Sequence, residues 1–204
     1  REFGIEPLND EYEPWRVLPL DGDFVKVDLS LLALEPIRLG LNGRHQIENA
    51  QTAVQTARAL LYYGVFLDVQ DGEGTNEICI LEGLKKARHP GRLEYQGRFL
   101  FDGAHNIGGA KALADYLTQF ENRPITIVFG AMRDKEIAEI VSILFPLAAK
   151  IVLTEPENSR SLTYSELLEQ IPNEISRSNI FATDRVENAL AIAETVSAED
   201  GIIL

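Results

Sequence analysis

Past residue 98 the chain follows one pattern, in which a short apolar run precedes a stretch whose apolar residues have helical spacing. The apolar runs are residues 99–101, 125–129, 151–153 and 202–204. Strands that alternate with helices build parallel sheets, because each helix covers a face of the sheet and leads back to its starting edge. The sequence therefore predicts an α/β fold, with a Rossmann-like, mainly parallel sheet and flanking helices. Thr163 with Glu166, and Asp184 with Glu187, predict capping boxes at two helix starts.

Pro90-Gly91 separates this region from a different one upstream. Proline lacks a backbone donor and the pair favours a turn, so we expect a domain hinge here, with domains over residues 1–88 and 89–204. Prolines and short alternating runs in residues 1–40 predict an antiparallel, hairpin-like region. Helical spacing follows over residues 47–61 and again over 78–85.

The charge balance limits the partners of this chain. Nineteen basic residues stand against 32 acidic ones, for a net charge of −13. This balance argues against a broad basic face that would bind nucleic acid or an anionic membrane. The one cysteine excludes an internal disulfide and no apolar run is long enough to cross a membrane, so we expect a cytoplasmic protein. Since the chain begins with Arg1, we expect a piece of something longer.

Polar side chains follow the first apolar run at the point where its predicted strand ends. Asp102, His105 and Asn106 stand there, before a helical pattern that begins at Ile107. Open α/β sheets bind ligands at the carboxyl ends of their strands, and the unpaired amides of a helix start attract a carboxylate or a phosphate. The structural alternatives are that Asp102 caps the turn and that His105 is a turn histidine, although all three histidines of the chain fall within motifs.

Three motifs occur in order along the chain. They are Gly43-Arg44-His45-Gln46-Ile47-Glu48-Asn49-Ala50, His89-Pro90-Gly91-Arg92-Leu93-Glu94 and Asp102-Gly103-Ala104-His105-Asn106. A fourth block, Phe129-Gly130 with Asp134-Lys135, follows them. The ordered set resembles the folylpolyglutamate synthase and dihydrofolate synthase family of the Mur ligase superfamily, which comprises ATP-dependent amino-acid ligases. Each motif is weak alone, and it is their order and spacing that make the resemblance specific.

The resemblance implies a ligase that uses ATP to add L-glutamate to a folate or dihydropteroate carboxylate. It implies that Asn49 contacts the adenine, Arg92 the phosphates, and Asp102 the nucleotide or the segment between domains. His105 and Asn106 belong by resemblance to the patch that takes the incoming glutamate, and Arg92, Asp102 and His105 are the expected catalytic residues. An amide suits an adenine edge and a guanidinium suits phosphate oxygens. The structural alternatives are a helix-start role for Asn49 and a surface charge for Arg92.

The resemblance also implies what the chain lacks. No phosphate-binding loop of the form G-x-x-x-x-G-K-[ST] occurs in the sequence. The family carries this loop, its lysine and the Mg²⁺ ligands in an N-terminal ATPase domain, so we expect no metal ligand here. Residues 1–88 are then a C-terminal fragment of the central ATP-binding domain, and residues 89–204 are the amino-acid-binding domain, truncated at its end. By itself, the chain is expected to have no ligase activity.

Two departures from the family pattern are mild: Ile107 stands where proline is usual, and Glu136 where a second aspartate is common. Two other hypotheses stay open, a Mur-type cell-wall peptide ligase and a non-catalytic module that binds an amino acid or a nucleotide. A dinucleotide site at Gly108-Gly109 is rejected because the required glycine spacing is absent. Asp134 either borders the ligand cleft or caps the next helix, and the polar loop 155–161 is expected to be structural.

Overall fold

The computed structural model describes residues 16–18, 26–28, 37–62, 75–133 and 136–204. The chain divides into two compact units, the first formed by Arg1–Leu39 and Ile47–Lys86 and the second by Gly40–Gln46 and Ala87–Leu204. The segment Gly40–Gln46 lies upstream of the boundary predicted at residue 88, yet it belongs to the second unit. No helix within the described residues is both long and apolar enough to cross a membrane.

The first unit contains a small antiparallel sheet. Its strands, in spatial order, are β1 (Arg16–Leu18), β2 (Lys26–Asp28) and β3 (Ile37–Arg38). β2 pairs antiparallel with both neighbours, which confirms the antiparallel region predicted for residues 1–40. The two predicted helices are α1 (His45–Tyr62) and α2 (Thr75–Lys86).

A six-stranded sheet lies at the centre of the second unit. In spatial order its strands are β4 (Glu94–Gln96), β5 (Phe99–Phe101), β9 (Ile202–Ile203), β6 (Ile125–Phe129), β7 (Lys150–Leu153) and β8 (Ile180–Ala182). β4 runs antiparallel to β5, and every other neighbouring pair is parallel. The predicted α/β fold with a mainly parallel sheet is therefore confirmed.

Helices cover both faces of this sheet. They are α3 (Ile107–Phe120), α4 (Ile137–Leu144), α5 (Tyr164–Glu169) and α6 (Val186–Val196). Side chains alternate along β7, so that Ile151 and Leu153 belong to the larger core cluster, which includes the buried residues of α3, α4 and α5. Val152 belongs instead to a second cluster with Ala189 and Ala193 of α6. Burial of both faces explains why these strands are continuous apolar runs in the sequence.

The helix starts show which local predictions are correct. Thr163 and Glu166 form the predicted capping box at the start of α5. The capping box predicted for Asp184 and Glu187 is wrong, because Arg185 is the N-cap residue of α6 and makes no side-chain cap. Asp184 instead accepts a hydrogen bond from the neighbouring Thr183 hydroxyl at 3.4 Å, so its carboxylate serves the turn before the helix.

Candidate functional site

The parallel strands bring their carboxyl ends to one edge of the sheet. β5 ends at Phe101, so the turn of Asp102, His105 and Asn106 lies at this edge, together with the loops that follow β6 and β7. Ligands of open α/β sheets bind at this edge. The structure therefore places these three side chains where their position in the sequence predicts.

Asp102 joins the end of β5 to the turn that contains Arg92. Its Oδ2 accepts the amide of Leu93 at 3.0 Å, and its Oδ1 accepts the amide of Ala104 at 2.9 Å. The second bond is the turn cap that was the structural alternative for this residue, whereas the first reaches a separate segment. The next residue, Gly103, reinforces that connection by donating its amide to the Gly91 carbonyl at 2.7 Å. Both carboxylate oxygens of Asp102 thus accept backbone amides.

The backbone on both sides of Arg92 is fixed by hydrogen bonds. Before it, Gly91 donates its amide to Glu94 Oε2 at 2.9 Å. This bond and a second one from Gln96 lower the pKa of the Glu94 carboxyl. After it, Leu93 donates its amide to Asp102, and the Leu93 carbonyl accepts Nδ2 of Asn42 at 3.0 Å. Sequence reasoning missed Asn42, because nothing in a local pattern relates it to a carbonyl beyond Pro90-Gly91.

The guanidinium of Arg92 contrasts with this fixed backbone. It is half-buried, and it has no hydrogen bond or ion pair with any residue that the structure describes. A guanidinium carries five N–H donors in a planar fork and stays charged at all relevant pH values. Arg92 therefore holds a positive charge with open donors at the ligand edge, on a backbone that has little freedom to move.

His105 and Asn106 complete the turn before α3. Nδ1 of the exposed His105 lies 2.8 Å from the Gly103 carbonyl, which can only accept, so Nδ1 donates to it and Nε2 is the ring nitrogen left for a ligand. Oδ1 of Asn106 accepts the amide of Gly109 at 2.8 Å and makes Asn106 the N-cap residue of α3. Asn106 therefore binds one of the helix-start amides that were expected to bind a ligand, and its Nδ2 group is the part of the side chain left to contact a ligand.

The motif that contains Asn49 is divided between the two units. His45 and Gln46 belong to the second unit, where the side chain of the buried Gln46 lies 2.9 Å from the His45 ring. Asn49 is exposed on α1 and belongs to the first unit. Its contact with adenine stays a prediction.

An ion pair organises the loop after β6. Arg133 contacts Glu166 with both terminal nitrogens, and the Nη2 to Oε2 distance is 2.8 Å. The hydrogen bonds from Arg133 and from the Thr163 amide lower the pKa of Glu166 to about 2. Because Glu166 also closes the capping box of α5, this loop is attached to the start of that helix. The two hypotheses for Asp134 concern a residue outside the described part of the chain, as does Lys135.

The fold and this edge define a Rossmann-like α/β domain that presents charged groups at its strand ends. A family model described as "Mur ligase, glutamate ligase domain" matches residues 91–204. The chain therefore belongs to the Mur ligase family, and the matched residues are its glutamate ligase domain.

Curated relatives carry more specific names. The probable bifunctional folylpolyglutamate synthase/dihydropteroate synthase of Halobacterium salinarum is 30% identical over 167 residues, which are 80% of this chain and 19% of that protein. The dihydrofolate synthase/folylpolyglutamate synthase of Bacillus subtilis is 33% identical over 121 residues, which are 57% of this chain and 26% of that protein. The chain thus spans a minor part of the length of both relatives.

Solved structures agree on the fold. A structure of E. coli FolC in complex with DHPP and ADP has a TM-score of 0.68 at 23% identity, and the match covers 94% of this chain and 42% of that one. A Mycobacterium tuberculosis folylpolyglutamate synthase complexed with ADP has a TM-score of 0.67 at 24% identity, with coverage of 90% and 42%.

Proposed function

We propose that this chain supplies the glutamate-binding part of an ATP-dependent ligase that adds L-glutamate to a folate or dihydropteroate carboxylate. The turn at Arg92 carries the proposal, because it combines a fixed backbone with a guanidinium that has open donors at the ligand edge. The names of the relatives support the substrate class, and the bound ADP of the solved structures supports the nucleotide. A cytoplasmic location is part of the same proposal.

In the first step a carboxylate of the acceptor attacks the γ-phosphate of ATP, which gives an acyl phosphate and ADP. Negative charge concentrates on the phosphate oxygens during this transfer, and cations fixed in advance stabilise it most effectively. Arg92 is the residue that we assign to those oxygens, since its fork of donors matches their geometry. Asn49 is assigned to the adenine, where its amide offers both a donor and an acceptor.

In the second step the amine of glutamate attacks the acyl carbonyl, forms the amide and releases phosphate. Orientation dominates such a step, with effective concentrations worth about 7–11 kcal/mol at best. We assign the incoming glutamate to the turn before α3. There we assign Nε2 of His105 to the amine and Nδ2 of Asn106 to a carboxylate of the incoming glutamate. Asp102 acts indirectly in this proposal, because it holds the backbone of the Arg92 turn by accepting the amide of Leu93.

Magnesium belongs to the proposed reaction as the partner of the ATP phosphates. Among the residues that the structure describes, no group of three His, Cys, Asp or Glu side chains comes together to hold a metal ion. The proposal assigns no residue to the metal.

The test compares arginine variants in the natural protein that carries this chain. Arg92→Ala is expected to lower ATP-dependent glutamate incorporation by about 10²–10³-fold, and Arg92→Lys is expected to restore little, because lysine lacks the fork of donors. Arg185→Ala is the control, since Arg185 is an exposed arginine of the same unit with a loose contact to Glu187 at 3.6 Å. Unfolding midpoints are measured on all three variants.

Three results contradict the proposal. The first is a loss of stability in Arg92→Ala that matches its loss of turnover, which means a structural arginine. The second is transfer to a UDP-muramoyl acceptor rather than to a pteroate, which means a cell-wall ligase. The third is binding of glutamate and ATP in a calorimetric titration without any turnover, which means a non-catalytic binding module.

A further inference from the structure

We propose that Asn42 is a positioning residue for Arg92, which holds the arginine in the orientation that meets phosphate. The inference rests on the proposed function of Arg92 and adds a residue that touches neither nucleotide nor glutamate.

Leu93 has a backbone conformation that leucine rarely adopts. Its φ is +45°, in the left-handed region, and its side chain is 1% exposed. In that region the β-carbon crowds the backbone, so the conformation persists only where the surroundings impose it. Strain of this kind collects at functional sites, and here it lies directly beside the arginine with open donors.

Two side chains impose this conformation from opposite ends of Leu93. Asp102 accepts the Leu93 amide, which belongs to the peptide plane shared with Arg92. Asn42 donates to the Leu93 carbonyl, which belongs to the plane shared with Glu94. When both planes are fixed, φ and ψ of Leu93 are fixed as well. The peptide plane between Arg92 and Leu93 also contains the α-carbon of Arg92. The direction in which the arginine side chain leaves the backbone therefore depends on the hydrogen bonds from Asn42 and to Asp102.

Asn42 is itself held in place by its neighbours. Two residues before Asn42, the carbonyl of Gly40 accepts a hydrogen bond from Nη1 of Arg88 at 3.3 Å. The following Gly43 has φ of +94°, and it lies so close to Leu93 that a β-carbon there would come within 2.8 Å of Leu93 Cδ1. The segment Gly40–Gln46 therefore packs against the Arg92 turn within the second unit, and it presents Asn42 Nδ2 to the Leu93 carbonyl.

The experiment uses the natural protein that carries this chain and three variants of Asn42. Asn42→Asp keeps the shape of the side chain but removes its N–H donor. Asn42→Ala removes the side-chain amide altogether, and Asn42→Gln keeps an amide donor on a longer side chain. We expect kcat to fall about tenfold in the first two, as for one lost hydrogen bond, with KM for glutamate unchanged and partial recovery in Asn42→Gln.

Asn179→Ala is the matched control, because Asn179 also makes one part-buried side-chain bond in the second unit, to Lys150 at 2.9 Å. It is expected to lower the unfolding midpoint about as much as Asn42→Ala and to leave kcat unchanged. If the Asn42 variants lower the unfolding midpoint as the control does and likewise leave kcat unchanged, the inference is overturned.

Two further measurements keep the inference testable. A crystal structure of the natural protein is expected to show Leu93 in the left-handed region, and an extended Leu93 overturns the inference even if no Asn42 variant folds. Arg92→Ala distinguishes failure of the proposed function from failure of the role of Asn42. If it leaves turnover intact, the proposed function fails. If it abolishes turnover while Asn42→Asp behaves like Asn179→Ala, only the role of Asn42 fails.

Discussion

A β-carbon on Gly43 would stand 2.8 Å from Cδ1 of Leu93, closer than carbon atoms of folded proteins approach one another. It would also stand 2.7 Å from Cε1 of His45. A side chain at residue 43 would therefore force the buried Leu93 or His45 to shift, in addition to the backbone strain of its φ of +94°. Both effects favour glycine in the segment that holds the Arg92 turn.

Replacement of Gly43 by alanine is expected to lower the free energy of unfolding by about 2–5 kcal/mol, since the left-handed backbone and the overpacking both cost energy. Gly91→Ala is the matched control, because Gly91 has φ of +68° but nothing within 4 Å of the added carbon. In Gly91→Ala the free energy of unfolding should fall only by the cost of the left-handed backbone, about 1–2 kcal/mol. Denaturant unfolding of both variants checks the difference, and equal losses would show that Leu93 moves aside freely.

Two buried threonines offer a second matched comparison. Thr154 and Thr126 are each 2% exposed, but the Thr154 hydroxyl has no partner among the described residues, while the Thr126 hydroxyl accepts a bond from Ser197 at 2.6 Å. Thr154→Val is expected to leave stability unchanged or to raise it by about 1 kcal/mol, and Thr126→Val to lower it by about 1–3 kcal/mol. Thermal unfolding distinguishes them. A loss in Thr154→Val as large as that in Thr126→Val would reveal a bound water on Thr154.

The ion pair of Arg133 and Glu166 predicts a pH dependence. Because Glu166 has its pKa lowered in the folded state from 4.5 to about 2, the unfolded chain takes up the proton first as pH falls. The stabilisation is therefore complete above pH 4.5 and is lost between that value and about pH 2. Arg133→Met is expected to unfold more easily than the parent above pH 4.5 and to converge with it in acid.

Denaturant unfolding at several pH values checks this convergence. High salt is the control for the exposed pair, because about 1 M salt screens charges beyond roughly 3 Å and should shrink the difference at neutral pH. A difference that is the same at every pH would mean that Arg133 stabilises the loop by packing alone.

Much of the second unit was predictable because its signals are local. Strand and helix periods predicted β5, β6, β7 and the helices between them, and the polar residues after Phe101 placed Asp102 and His105 at the ligand edge. β4 escaped notice because two of its three residues, Glu94 and Gln96, are polar and form no apolar run, and β8 was not predicted either. The wrong capping box at Asp184 has a similar cause, because a favourable residue type at a helix start does not ensure cap geometry.

The sequence by itself determined the α/β class, the residues at the strand ends and the motifs that resemble a ligase, because period, turn chemistry and motif order all lie within short stretches. Only the tertiary structure decided that Gly40–Gln46 joins the second unit and that Asn42 and Asp102 hold Leu93 from its two ends. Asn42 and Leu93 are 51 positions apart. A hydrogen bond over such a separation depends on how whole segments pack, and no local pattern encodes it.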